Sequence, residues 1–330
     1  MTNIRFPNTR LRRNRNSEWS RAVNRENNLS VQNLILPLFV AEDEAAGEIK
    51  TMPGVRRNSL ADLKLLVPQI VNLGIKAVML FPYVLPTLKT NDGIEALNPD
   101  NIIYRAIKLI KNLAPHLGVI VDVALDPFTS HGHDGVIDQS GYVLNDRTVE
   151  ILCSQALSIS KAGADAVAPS DMMDGRVGFI RDVLESNGYH NIQIISYAAK
   201  FASNFYAPFR EGVGSKGALV SDKKSYQMDY FNSDEAMVEI KMDINEGADI
   251  VIVKPGMAYL DIVHRASKLF KIPVWAYHVS GEYGMWKAAA NQGIINGDAA
   301  LLELLTCAVR AGARSVITYA ALDAARLLQN

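Results

Sequence analysis

Residues 249–255 read D-I-V-I-V-K-P, and Lys254 closes the apolar run. Continuous rather than alternating apolar residues predict a strand buried on both faces, as in a parallel sheet. A lysine fused to such a strand is unusual, because desolvating an ammonium is costly. The stretch I-I-S-Y-A-A-K (194–200) repeats the arrangement with Lys200. An amine placed there suggests an ε-amino group kept partly neutral as a nucleophile, the form that builds Schiff bases with ketones. One such lysine points to an aldolase-like enzyme. Two point to the capture of two carbonyl compounds side by side.

Further apolar runs flank these two, at 34–40, 77–81, 119–125, 166–170, 273–279 and 315–320, with the Lys200 run taken as 192–197. Helical patterns fill most gaps, over 59–73, 98–113, 146–162, 174–187, 233–246, 257–270 and 298–311. Asn98-Pro99, Asn145-Asp146, Ser233-Asp234 and Gly297-Asp298 offer N-cap chemistry at four of the starts. Gly163-Ala164-Asp165, Gly247-Ala248-Asp249 and Gly312-Ala313-Arg314 each fall between a helix and the next strand, where glycine suits a left-handed cap. Eight βα units predict an α/β fold, a (β/α)8 TIM barrel over 34–330, with an open doubly wound sheet as the alternative. Residues 1–33 are polar, basic and aperiodic, so they read as an N-terminal arm. Residues 201–232 are long for a loop and carry Gly212, Gly214 and Gly217 near Phe209 and Arg210, which reads as an active-site lid with glycine hinges.

The chain has 330 residues, 48% of them hydrophobic, and a formal net charge of −1. That balance gives no global reason to expect nucleic acid as a partner. The arginines of the arm (Arg5, Arg10, Arg12, Arg13, Arg15, Arg21 and Arg25) lack the aromatic interleaving of a nucleic-acid surface. No apolar run approaches the roughly 18 residues that span a bilayer, and the start lacks the apolar core of a secretory signal. The Arg-rich, acid-poor start leaves a transit peptide open. Cys153 and Cys307 lie in apolar helical contexts, with no zinc-type spacing. The expectation is a soluble, reduced, cytoplasmic protein.

In a barrel of this kind the active site lies at the carboxyl ends of the strands. Asp122, Asp126, Ser170, Asp171, Lys200, Lys254, His278, Ser280 and Tyr319 all map there. A class I aldolase accounts for one lysine but leaves Lys200 without a task. A metal-dependent hydrolase would read His131, His133, Asp134 and His278 as ligands. A non-catalytic barrel would make the convergence accidental.

The strings D-V-A-L-D-P-F-T-S-H-G-H-D-G (122–135), A-P-S-D-M-M-D-G-R (168–176), S-Y-A-A-K-F-A-S (196–203), F-Y-A-P-F-R-E (205–211), Y-Q-M-D (226–229), V-K-P (253–255), V-S-G-E-Y (279–283) and T-Y-A (318–320) occur in this order. Together they resemble the porphobilinogen synthase (5-aminolevulinate dehydratase) family, from about residue 5 to the C-terminus. The resemblance implies a homo-oligomeric barrel, usually an octamer. It also implies the condensation of two 5-aminolevulinate molecules to porphobilinogen, an early step of tetrapyrrole and heme biosynthesis. By position, Lys254 resembles the lysine that binds the first substrate and Lys200 the one that holds the second. Arg210 and Lys223 resemble lid residues gripping the second substrate's carboxylate, and Ser280 and Tyr319 the hydroxyls gripping the first. Asp122, Ser170 and Asp171 complete the polar wall. The arm resembles the extension that wraps a neighbouring barrel.

The chain departs from the zinc-dependent members, whose three cysteines match Ala124, Asp126 and Asp134. Without thiolates, catalytic zinc is not expected there. It is similar instead to the aspartate-bearing type. Asp126 and Asp134 then either hold a hard ion, Mg2+ or a monovalent cation such as K+, or act as charges. Glu239 matches the family position for an allosteric Mg2+.

Overall fold

The structure, a computed structural model, describes residues 5–215, 219 and 221–329. Gly217, read as a lid hinge, lies outside the described residues. The strands are β1 (Leu34–Val40), β2 (Gly47–Glu48), β3 (Arg56–Asn58), β4 (Ala77–Pro82), β5 (Gly118–Val123), β6 (Ala166–Pro169), β7 (Gln193–Lys200), β8 (Ile250–Lys254), β9 (Val274–His278) and β10 (Ser315–Thr318). β1 and β4 to β10 run parallel in chain order, and β10 returns to β1 through Leu34↔Val316 and Ile35↔Ile317. The sheet therefore closes into a (β/α)8 barrel. β8 is buried at every position, as is β1, because side chains fill the barrel on one face and helices cover the other.

The helices are α1 (Glu18–Val23), α2 (Leu60–Asn72), α3 (Ile102–Leu113), α4 (Asn145–Lys161), α5 (Arg176–Ser186), α6 (Ala207–Gly212), α7 (Asp234–Asn245), α8 (Leu260–Leu269), α9 (Ser280–Asn291), α10 (Gly297–Ala311) and α11 (Ala321–Gln329). Gly163 and Gly247, after α4 and α7, take φ of +102° and +104°, which strains any residue with a Cβ. The aspartates two residues on tie down strand starts: Asp165 Oδ2 accepts from Val119 N at 2.8 Å, and Asp249 Oδ2 from Ile194 N at 2.8 Å. None of the described helices is long and apolar enough to cross a membrane.

Several expectations need correction. Asn101 rather than Asn98 caps α3, accepting from Ile103 N at 3.0 Å, because Ile94–Leu97 forms a separate 3-10 turn. Asn296, one residue before Gly297, caps α10 through Ala299 N. Ser233 makes no cap, its hydroxyl being taken by Arg265. The ribbon β2–β3 extends the sheet beside β1, and α1, α6, α9 and α11 add to the expected helices. In the arm, Phe6, Leu11, Trp19 and Val23 are each about 70% exposed.

Candidate active site

β7 carries a register shift between Ser196 and Ala199, so that Lys200 and Lys254 become direct partners across adjacent strands. Ser196 pairs with Val251, and continuing that register would set Lys200 opposite Pro255. A bulge adds one residue to a strand and re-aims the side chains beyond it. Here it sets two lysines side by side. Asp122, at the end of β5, faces the same cavity, joined by Asp126 and Asp134 from the loop beyond it and Ser170 after β6. The lid supplies Arg210 and Lys223, with Tyr206, Phe209 and Gln227.

The two lysines sit in different surroundings. Lys200 Nζ donates to Asp134 Oδ1 at 3.0 Å and to the carbonyl of Ser170. Lys254 Nζ has no hydrogen-bond or ion-pair partner among the described residues. It is ringed by Tyr277, Phe209, Tyr197 and Tyr206, with centroids 4.6, 4.8, 4.9 and 5.3 Å away. Burial first, and then the neighbouring Lys200, lower the Lys254 amine to about 7, against the pull of Asp122. The ring faces still stabilise a cation formed there, such as an iminium. Burial likewise raises the Asp122 carboxyl, and Asp122 Oδ1 has no hydrogen-bond partner among the described residues.

Lys223 reaches into the site from the lid, 2.6 Å from Asp134 and 3.6 Å from Asp126. Burial would raise the Asp134 carboxyl, but Lys200 and Lys223 outweigh it and hold it well below the usual carboxylate range. Both carboxylates are thus ion-paired to lysines in this structure. With Ala124 offering no donor, a thiolate-type zinc does not fit this position. His131 Nε2 meets the Asn91 carbonyl, His133 Nδ1 the Tyr226 hydroxyl, and His278 Nδ1 the Thr318 hydroxyl. His131, His133, Asp134 and His278 are not brought together as a metal-holding group, so the hydrolase alternative finds no ligand set among the described residues. Among the described residues no three His, Cys, Asp or Glu side chains group to hold a metal.

Four expected residues lie outside this cavity wall. Asp171 is buried behind Ser170, accepting from Met173 N at 2.8 Å. Ser280 is the first residue of α9, and its Oγ accepts from Phe209 N at 3.0 Å and meets the Phe205 carbonyl at 3.3 Å. Tyr319 stacks on Phe39 and shares a 3.1 Å hydrogen bond with Tyr277. Glu239 lies on α7, facing a separate polar recess of about 310 Å³ with Glu235 and Asp174.

The lid is closed. Arg57 donates to the carbonyls of Glu211 and Gly212, and Lys89 to that of Gly214. Gly212 ends α6, where an added Cβ would come within 2.5 Å of the Phe39 ring, so close packing also calls for glycine there. The closed cavity leaves about 20 Å³ to the centre of a water-sized sphere, room for about one water. Substrate access therefore requires the lid to move. Tyr206, Tyr226 and Gln227 carry no site signal of their own in sequence, although all three lie inside the F-Y-A-P-F-R-E and Y-Q-M-D strings.

The delta-aminolevulinic acid dehydratase family model matches residues 8–327. The delta-aminolevulinic acid dehydratase of Bradyrhizobium diazoefficiens is 50% identical over 321 residues, covering 97% of this chain and 91% of that protein. The Rhodobacter capsulatus enzyme is 46% identical, covering 98% of this chain and 97% of that protein. Among solved structures, delta-aminolevulinic acid dehydratase (porphobilinogen synthase) from Toxoplasma gondii ME49, in complex with the product porphobilinogen, superposes with a TM-score of 0.94 at 47% identity. It covers 96% of this chain and 91% of that one.

Proposed function

The chain belongs to the delta-aminolevulinic acid dehydratase family, and on that premise we propose how its side chains divide the reaction. The reaction is the lyase step that condenses two 5-aminolevulinate molecules to porphobilinogen with loss of two waters, within heme biosynthesis. Lys254 forms the first Schiff base and Lys200 the second. The observation that carries this order is the contrast between an unpaired amine among aromatic rings and an amine bound to Asp134. Only the unpaired amine attacks a ketone without first surrendering a salt bridge. Asp122 exchanges protons beside Lys254, since its raised affinity lets it hold one near neutral pH. Arg210 and Lys223 bind the second substrate's carboxylate from the lid. Ser280 and Tyr319 bind the first substrate's carboxylate, and lid opening frees the Ser280 hydroxyl from Phe209 N. Excluding water protects the imines from hydrolysis.

Treating the protein with 5-aminolevulinate and borohydride, then mapping the adducts, tests the assignment. Capture at Lys254 needs the neutral amine, whose fraction grows as pH rises through the lowered value of about 7. The initial labelling rate is expected to climb as pH rises toward that value and to level off above it. A rise confined to the range of an ordinary lysine, near 10.5, would overturn the assignment.

The allosteric Mg2+ is proposed at Glu239, whose half-buried carboxyl is raised chiefly by burial, opposed by Arg176 and reinforced by Asp243, Asp174 and Glu235. Mg2+ usually keeps several waters and takes one or two carboxylates, which suits this recess. Bound there, it would relieve the repulsion among these acids. Glu239→Gln is expected to abolish any rate difference between Mg2+ and chelator; a persisting difference rejects the site. Whether a monovalent cation also acts is tested by exchanging K+ for a bulky organic cation in the same assay. Assembly into a homo-octamer is supported by the four exposed apolar side chains of the arm, which a neighbouring barrel would cover.

A further inference from the structure

The amine that captures the first ketone and the hydroxyl that grips the same molecule's carboxylate sit at the ends of neighbouring strands. Lys254 ends β8, and Ser280 opens α9 just after β9 ends at His278. A strand ladder ordinarily holds two such ends at a fixed separation. Here it stops short: the last pair between β8 and β9 is Val253↔Ala276. Pro255 follows Lys254 and has no N–H to extend the ladder. Both functional side chains therefore lie beyond the last rung.

Glu282 spans that gap. It is buried in the first turn of α9. Its Oε2 accepts from Val279 N at 3.0 Å, directly before Ser280, and its Oε1 accepts from Ala258 N at 2.8 Å, in the turn after Lys254. The first bond is the reach-back half of a capping box, ordinary for a glutamate at this place in a helix. The second is not, since it ties the helix start to a loop 24 positions earlier in the chain. The joint is also tightly packed. A Cβ at Gly256 would lie 2.8 Å from the Tyr277 carbonyl oxygen, and one at Gly281 would lie 2.6 Å from that of Phe205. The turn after Lys254 thus rests on the β9 backbone, and the start of α9 on the base of the lid. On its other flank the Lys254 carbonyl accepts from Phe201 N and from the Tyr206 hydroxyl, both at 3.0 Å.

We propose that Glu282 is a specificity-determining positioning residue: by tying the Lys254 turn to the start of α9, it fixes the span from amine to Ser280 hydroxyl and so selects a ketone two methylenes from its carboxylate. That is the spacing in 5-aminolevulinate. Glu282 acts only through the two segments it joins. Burial raises its carboxyl to about 7, opposed by the amides of Ala258, Val279, Met257 and Gly256. Glutamine is no substitute, because it offers one acceptor oxygen and turns its NH2 toward the remaining main-chain N–H. One of the two ties is then lost.

The inference rests on the roles proposed for Lys254 and Ser280, and the parent protein tests those separately. Three ketones are trapped with borohydride at a pH where Glu282 is ionised. They are 4-oxopentanoate, the substrate skeleton without its amine; 5-oxohexanoate, one methylene longer; and butanone, which has no carboxylate. In the parent, 4-oxopentanoate is expected to label Lys254 at least about tenfold faster than 5-oxohexanoate, the low side of what one methylene is worth. Glu282→Gln is expected to bring that ratio below about threefold while butanone labelling stays within about twofold. Ser280→Ala should slow both acids and leave butanone unchanged. No adduct at Lys254 in the parent fails the lysine assignment. Parent acids that label no faster than butanone fail the carboxylate assignment, and either failure takes this inference with it. With both assignments intact, a parent ratio near one, or an undiminished ratio in Glu282→Gln, overturns the positioning role alone. So does an equal loss of labelling with all three ketones, which marks damage to the amine and not to the spacing. If Glu282→Gln does not fold, Glu282→Asp decides by the same criteria, since it keeps a carboxylate for Val279 N but falls one methylene short of Ala258.

Discussion

Lys254→Met leaves a folded barrel whose porphobilinogen formation is lower by at least about 10^4-fold, on the scale of losing a covalent nucleophile. That loss corresponds to about 5.4 kcal/mol of barrier. Methionine fits because the site is already an apolar box of Tyr197, Tyr206, Phe209 and Tyr277. The thermal midpoint is expected to stay level or rise. The folded-state affinity of Lys254 for its proton is depressed below the unfolded value, so the native state binds fewer protons here and loses stability as pH falls through that window. Removing the amine removes that penalty, a familiar exchange of function for stability. Asp122, deprived of its neighbour, takes a proton instead of holding a bare charge. Activity and melting are measured on one preparation. Near-parental turnover would sink the assignment, and an unfolded variant would sink the account of the box.

The barrel was legible because its strands are buried on both faces, which leaves continuous apolar runs such as I-V-I-V between Asp249 and Lys254. The lysines were legible for the converse reason: a charge at the end of such a run has no ordinary explanation. Caps were misplaced by one to three residues because Asn98 and Gly297 each have a neighbouring asparagine, Asn101 or Asn296, of equal capping chemistry. The bulge in β7 leaves no one-dimensional mark. The apolar run ends at Tyr197, yet pairing carries the strand to Lys200, and the shift sets Lys200 beside Lys254. Tyr226 shows the limit best. Its hydroxyl meets Asp134 across 92 positions of chain, and nothing in Y-Q-M-D announces so distant a contact. Ser280 shows the reverse: a motif located it, but its hydroxyl is engaged with the lid backbone.

Lys200→Met separates the two captures. Lys254 keeps its aromatic surroundings, so one 5-aminolevulinate is still trapped there by borohydride, while condensation falls by at least about 10^3-fold because the second carbonyl has no amine to hold it. Stability should move opposite to the Lys254 variant. Asp134 loses a direct ion pair, and the Ser170 carbonyl loses a donor. Lys223 remains 2.6 Å from Asp134, so the carboxylate is not stranded. The cost is then about 2 kcal/mol, below that of breaking an isolated buried pair. Mass spectrometry after reduction is expected to find one adduct, at Lys254, and no pyrrole product. Normal porphobilinogen formation would remove Lys200 from the chemistry. Failure to label Lys254 would show that the amines act only as a pair, and the order proposed for them would be lost.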